Sequence, residues 1–429
     1  MKLAIMGYGV IGSGVAEVLK INQDQIMKKV GEPIELKYIL DQKKTLPENG
    51  ECLIHDFSVI EKDPEVALVV ETMGGIHPAY EYIKSCLEKG KHVISSNKAV
   101  VDACGSKLIR TAREHDCNFY FEASVGGGIP VIRTLYHNYA GEEVTEITGI
   151  LNGTTNFILE CPAVLDNGIN LGVECRLNAL AHLRCSSLGK GEDEDAVQRQ
   201  CSRTHLRDDA LHENTRLSGA CRCRHEDIYT EGIRNVSAID FEYAEKLGMN
   251  IRLLGSVQAV EDRYFAYVAP LMIGSSDPLY PVDGVFNGIR IVGNCLGTTM
   301  LYGMGAGKLP TASAVVSDII AAVRHRGHFQ GIGWSEKMIE IEPMGSNAFR
   351  YLARIEGTPE GLEEALREAF LEEETAFRPI RLNGRSDEFA VLTDILFEED
   401  FLANLKDFEE KTGRRIFHFI RVKCGDHEI

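Results

Sequence analysis

The chain opens on a short apolar run that stops at a glycine, and this start limits the fold more than anything after it. Residues 2–7, KLAIMG, suit a buried parallel strand, and they lead into Gly7-Tyr8-Gly9-Val10-Ile11-Gly12 and the helical pattern VAEVLK. Each glycine has its own steric task. Gly7 permits a tight turn, Gly9 lets backbone approach a pyrophosphate, and Gly12 lets the helix sit close on the strand. The first helical amides, around Val10 and Ile11, then face the phosphates. Strand, glycine turn and helix in that order are the setting in which GxGxxG signals dinucleotide binding. Without a ligand the same residues would be a plain Gly-rich turn.

An acidic residue at the end of the second strand is the next expected part, and Asp41 after ELKYIL supplies it. It comes later than the usual offset of about 20 residues, so QDQIMKKVGEP must lengthen the helix or the loop. Asp41 would bind a ribose 2′-hydroxyl and favour NAD, whereas Lys43 and Lys44 could take a 2′-phosphate, so NAD and NADP both stay open. VALVVETMGG (66–75) reads as a strand ending in Glu71 and a glycine pair. A helix over PAYEYIKSCLEKG and a further strand and helix in KHVISSNKAVV follow. Polar residues gather at the strands' C-terminal ends, where open α/β sheets bind ligands. Asn97 and Lys98 sit at such an end, with Met73, Gly74 and Ser96, and Lys98 by position alone could equally be a solvated loop charge.

The bulk properties exclude other classes. A chain of 429 residues exceeds one core and suits two or three domains. A net charge of −18 opposes a nucleic-acid or anionic-membrane partner. No apolar run approaches the ~18 residues of a membrane span. With no signal peptide before the first strand pattern, a cytoplasmic protein with its twelve cysteines reduced is expected.

Seven stretches together resemble homoserine dehydrogenase. They are GYGVIG (7–12), ETMGGIHPAYEYI (71–83), HVISSNKAVV (92–101), FEASVGGGIPVI (121–132), GILNGTTNFIL (149–159), YTEGIRNVSAIDFEYAEKLG (229–248) and YGMGAGKLPTASAVVSDI (302–319). The resemblance implies interconversion of L-homoserine and L-aspartate 4-semialdehyde with NAD or NADP, toward threonine and methionine. It also implies a homodimer or homotetramer. Lys98 matches the family lysine beside nicotinamide and substrate, which would take the hydroxyl proton with its pKa lowered by partial burial. Glu122, Val125, Gly127 and Ile129 match a site for a monovalent cation, Na⁺ or K⁺, built mostly of carbonyls. Read from the residues alone, the GGG run fits either that site or a simple turn. Asn152, Gly153 and Thr154 would line the substrate's edge, although such a stretch alone suits a helix N-cap. Gly307 and its neighbouring glycines would let backbone close over the cofactor.

Residues 160–225 break the pattern. They hold six of the twelve cysteines and eight arginines but one lysine, Lys190. By resemblance Glu192 falls at the family's substrate-binding Glu and Asp209 at its catalytic Asp. However, Glu213 stands where the family has a second lysine, and an acid there would repel a developing alkoxide. Three origins compete: a local reading-frame error in the underlying DNA, a decayed homologue that keeps cofactor binding, or a genuine segment in which Lys98 suffices. The abrupt edges and the loss of lysine favour the first.

After Trp334 the text changes again. Strand patterns at 349–355, 377–382, 388–395 and 416–422 alternate with helical ones in PEGLEEALREAF and EDFLANLKDFEEKTG. This βαββαβ order resembles an ACT-type regulatory domain that would sense threonine; a small α+β domain for dimerisation is the rival. The expected architecture is therefore α/β. A Rossmann dinucleotide-binding domain spans 1–130, with helix 310–325 returning to it. An α+β catalytic and dimerisation domain spans 131–309, and an ACT-like domain spans 345–429. The rival function is a catalytically impaired NAD(P)-binding homologue or sensor, which Glu213 would favour.

Overall fold

The computed structural model describes all residues except 47, 152–155, 157–158, 160–219, 223–226, 261–262, 331–333, 339, 373–377 and 424–429. By contacts the chain forms two compact units. The first comprises Met1–Ile147, Leu206–Cys223 and Ile291–Ile339; the second comprises Thr148–His205, Arg224–Arg290 and Glu340–Ile429.

The first unit holds six parallel strands: β1 (Lys2–Met6), β2 (Glu35–Leu40), β3 (Leu53–Ile54), β4 (Val66–Glu71), β5 (His92–Ser95) and β6 (Phe119–Tyr120). Their order, β3-β2-β1-β4-β5-β6, is the doubly wound Rossmann order, and the chain reverses direction across the sheet between β1 and β4. All five pairings are parallel. A parallel sheet must be covered on both faces, which is why β1 and β4 are almost wholly apolar. Leu3, Ile5, Leu68 and Val70 are fully buried.

Helix α1 (Val10–Ile21) packs back on this core through Val15 and Val18. The long connection to β2 does not extend α1. The chain breaks at Asn22, forms a separate helix α2 (Gln23–Val30), and leaves it through Gly31 at φ 84°. α3 (Ser58–Lys62), α4 (Ala79–Glu88) and α5 (Lys98–Glu114) make the remaining crossovers, and a short helix α6 (Val131–Arg133) follows β6. Asn97 caps α5, its side chain accepting from Val100 N, the usual N-cap arrangement.

Further strands are β7 (Val144–Ile150), β8 (Ala220–Arg222), β9 (Tyr229–Thr230), β10 (Met249–Val260), β11 (Arg263–Gly274), β12 (Phe286–Gly293) and β13 (Gly297–Met304). Helix α7 (Ala238–Lys246) precedes β10. Helix α8 (Lys308–Arg324) belongs to the first unit and lies on α1. Gly14 makes that approach possible, since a Cβ there would sit 2.9 Å from the Lys308 carbonyl oxygen and 3.1 Å from Ala312 Cβ. β14 (Trp334–Met338) pairs with β8.

In the second unit β10 and β11 form an antiparallel pair twelve residues long. The C-terminal strands β15 (Ala348–Glu356), β16 (Glu388–Leu392), β17 (Leu396–Phe397) and β18 (Ile416–Val422) alternate with α9 (Glu363–Phe370) and α10 (Glu398–Thr412). β18, β15 and β16 pair antiparallel, and Ile380 bridges to Ala390 on the far side of β16. That order is a split βαβ arrangement. One feature was invisible in the strand patterns: β18 also pairs parallel with β11, at Leu271 with Arg421 and Met272 with Val422. The C-terminal elements thus extend a mixed sheet. Arg421, 2 % exposed, sits between Glu398 at 2.6 Å and Glu231 at 2.5 Å. Arg354 likewise joins Asp240 of α7 at 3.0 Å to Glu388 at 2.8 Å. Removing one partner of such a buried set strands the other charges, so these pairs fix the arrangement.

Among the described residues no helix is long and apolar enough to cross a membrane. Cys52, Cys86, Cys104, Cys117 and Cys295 are free thiols.

Candidate active site

The loop after β1 realises three different glycine requirements. Gly7 has φ +88°, and a Cβ on it would lie 2.9 Å from the Thr72 backbone. Gly12 comes so close to the turn that a Cβ would stand 2.0 Å from Gly7 O. Gly9 precedes α1, and a Cβ there would meet nothing within 4 Å. Its side of the loop is open space, beside helical amides that have no intrahelical partner. Thr72 Oγ1 donates to Gly7 O at 2.6 Å and ties the loop after β4 to the loop after β1. Val10 is exposed at the helix start, and Ile11 packs against the core.

At the end of β2, Asp41 is half-buried. Its carboxylate accepts from Tyr8 N at 2.6 Å and from Lys43 N at 2.9 Å. The Lys43 ammonium turns back onto Tyr8 O at 2.5 Å. The acid therefore points to the glycine loop, next to where an adenosine ribose would lie in this fold.

The loops after β4 and β5 share one carboxylate. Glu71, fully buried, accepts from Ser95 Oγ at 2.6 Å, Met73 N at 2.7 Å and Asn97 Nδ2 at 3.2 Å. Burial pushes its pKa up, and these donors hold it down in part. Asn97 also donates to Gly75 O at 2.7 Å. Met73 is half-buried, Gly74 is exposed at φ +82°, and Ser96 N donates to Glu71 O at 3.2 Å. Lys98 is the first residue of α5. Its side chain is exposed, not partly buried as expected.

Beyond β6, Glu122 is buried, and its carboxylate caps α6 by accepting from Ile132 N and Arg133 N, both at 2.8 Å. Glu122 N donates to Asp318 Oδ2 at 2.9 Å, and Asp318 pairs with Arg133. Burial of two neighbouring carboxyls raises the pKa of both. Gly126 and Gly127 turn the chain at φ +64° and +62°. A Cβ on Gly127 would stand 2.1 Å from Gly305 O, and Gly128 N donates to Met304 O at 3.2 Å. The GGG run thus lets the loop before α8 approach backbone to backbone. Gly307, at φ +124°, leads that loop into α8. Val125 and Ile129 are buried. The Glu122 and Ile129 carbonyls accept from Val125 N at 3.4 Å and Val131 N at 2.9 Å, and the described residues contain no group of three or more His, Cys, Asp or Glu that could hold a metal.

Asn152, Gly153, Thr154, Glu192, Asp209 and Glu213 lie outside the described residues.

A family description, "Homoserine dehydrogenase, NAD binding domain", matches residues 7–122, and "Homoserine dehydrogenase" matches 130–164 and 215–320. A homoserine dehydrogenase from Bacillus subtilis is 30% identical over 428 residues, 95% of each chain. This chain belongs to the homoserine dehydrogenase family. Another family member, from Synechocystis sp., is 36% identical over 331 residues, covering 75% of this chain and 73% of its own. The crystal structure of a homoserine dehydrogenase from Thiobacillus denitrificans superposes with a TM-score of 0.81 at 25% identity, over 99% of this chain and 98% of the other. The impaired-homologue alternative is not favoured by likeness of this extent. Homoserine dehydrogenases are NAD(P)-dependent oxidoreductases acting on small molecules, and the sheet order and glycine loop supply the cofactor half of that activity. The family match skips residues 165–214, within the stretch whose composition is anomalous.

Glu71, Ser95 and Thr72 carry site geometry that the motifs did not reveal, whereas Asn97 was already placed at the strand end. The available signal was a carboxylate ending an otherwise apolar strand at the sheet's switch point.

Proposed function

We propose that this chain interconverts L-homoserine and L-aspartate 4-semialdehyde with NAD or NADP, in threonine and methionine biosynthesis. One observation carries the reading: the glycine loop, the Thr72–Gly75 loop and Lys98 follow β1, β4 and β5, which are adjacent strands of one sheet. When bound, the nicotinamide ring accepts or returns the hydride. Gly7, Gly9, Val10, Ile11 and Gly12 would seat the pyrophosphate, Asp41 and Lys43 the ribose, and Met73, Gly74, Ser96 and Gly307 the nicotinamide end. Lys98 would take the proton from the substrate's hydroxyl oxygen and return it in reverse. Asn152, Gly153 and Thr154 would line the site's edge toward the amino and carboxylate groups, and Glu192 and the catalytic Asp209 would bind the substrate's ammonium or a bridging water. The carbonyls of Glu122, Val125, Gly127 and Ile129 would hold a sodium or potassium ion.

The C-terminal split βαβ elements are proposed to be an ACT-type domain that binds threonine, and the chain a cytoplasmic homodimer or homotetramer. Lys98→Met tests the chemistry. It should lower kcat by about 10²–10⁴-fold with cofactor affinity nearly unchanged. An unchanged kcat would refute the role given to Lys98.

A further inference from the structure

Glu71 ends β4 with its carboxylate fully buried, and three donors hold it. Ser95 Oγ, Met73 N and Asn97 Nδ2 all point their hydrogens at it. One of these donors, Met73 N, belongs to the loop after β4, which in this fold lies under the nicotinamide half of a dinucleotide. Ser95 ends β5, and Asn97 belongs to the turn after it. Asn97 in that turn does two things at once. Its Oδ1 caps α5 through Val100 N at 3.4 Å, and its Nδ2 reaches both Glu71 and Gly75 O. The next residue is Lys98. A single carboxylate therefore joins the cofactor-side loop to the helix start that presents the lysine.

We propose that Glu71 is a positioning residue for hydride transfer, fixing the Met73–Gly75 loop and the Lys98 helix start relative to each other. The inference rests on Lys98 being the proton-transfer side chain. A carboxylate is required because it accepts on both oxygens. A Gln side chain would present one acceptor and one NH₂: turned one way, the NH₂ faces the Met73 and Asn97 N–H donors, and turned the other way, it donates to Ser95 Oγ, whose hydroxyl can then no longer donate to this side chain. Asp would be too short by one methylene to reach the same three groups. The pyrophosphate and ribose contacts lie on the loops after β1 and β2, so loss of the Glu71 contacts should leave cofactor affinity almost intact. Reaction geometry should suffer instead, since a misplacement of about 1 Å can cost about a hundredfold in rate.

The test uses the full-length enzyme and homoserine oxidation with saturating cofactor. Glu71→Gln should lower kcat by about 10–100-fold and change the cofactor KM by less than about threefold. It should also raise the isotope effect from homoserine deuterated at the carbon that loses hydride. Asn97→Asp keeps the helix cap but replaces the bridging NH₂ with an acceptor, and it should give the same kcat-specific loss should Glu71→Gln fold poorly. In a Lys98→Met background, Glu71→Gln should add little further loss, because the two act through one geometry.

A Glu71→Gln enzyme with normal kcat, beside a crippled Lys98→Met enzyme, would overturn the proposal while leaving the lysine's role standing. Equal losses in kcat and cofactor binding, or fully additive losses with Lys98→Met, would also overturn it by showing a general structural role. Normal turnover by Lys98→Met would remove the reading on which the proposal rests.

Discussion

Gly12→Ala tests the cofactor site most sharply. The new Cβ would stand 2.0 Å from Gly7 O and 2.9 Å from Thr72 Oγ1. Comfortable non-bonded separation is about 3.5 Å, so the start of α1 must retreat by more than about 1 Å. Gly7 cannot yield instead, because its N–H is held by Leu40 O at 2.8 Å and its carbonyl by Thr72. A 1 Å retreat would stretch two amide–phosphate hydrogen bonds from about 2.9 to about 3.9 Å, beyond bonding range. At about 1.5–3 kcal/mol each for bonds to a charged group, the loss is about 3 kcal/mol or more, a weakening of at least about a hundredfold. Overpacking would cost a further ~1–3 kcal/mol of stability.

Gly9→Ala is the matched control. Its Cβ meets no protein atom, and its φ of −84° is open to alanine. It should therefore weaken cofactor binding with little change in Tm. Titration of NADH and NADPH by fluorescence, beside thermal melts, reads both. Wild-type affinity in Gly12→Ala would refute the assignment of this loop to the pyrophosphate.

Three further outcomes follow. Asp41→Ser removes the acid while Lys43 and Lys44 remain, and the kcat/KM ratio of NADP to NAD should rise about tenfold or more; a fixed ratio would take Asp41 out of ribose recognition. His92 is 4 % exposed, accepts from Asn118 N at 3.0 Å through Nδ1, and burial lowers its pKa to about 4. Its folded pKa lies below the unfolded one, so its contribution is present above about pH 6.5 and is lost as pH falls toward 4, about 3 kcal/mol in all. His92→Asn should flatten the denaturation midpoint across that window, and an unaltered acid slope would refute the account. Peptide mass spectra of the protein from its natural source should depart from the present text within residues 160–225, and peptides matching it throughout would dismiss the reading-frame explanation.

What was legible in the sequence was whatever depended on neighbours in the chain. Gly7, Gly9 and Gly12 announce their roles because strand, turn and helix are contiguous, and the Rossmann order follows from repeated strand–helix alternation. The helix break at Asn22 was not legible, since QDQIMKKV carries no glycine or proline before Gly31. Glu71 was overlooked as a site residue because its partners Ser95 and Asn97 lie 24 and 26 residues away. The GGG run kept two readings for a similar reason, as the backbone that Gly127 meets belongs to Gly305. The junction of β18 with β11 involves two residue pairs of ordinary strand text, so no pattern could mark it.

The central claim is met most directly by homoserine-dependent reduction of NAD⁺ and NADP⁺, followed by nicotinamide absorbance, with purified protein of this sequence. Turnover at about 1–10³ per second is the predicted result. Tight binding of the dinucleotide without any homoserine-dependent reduction would contradict it, and would leave a cofactor-binding protein without the dehydrogenase reaction.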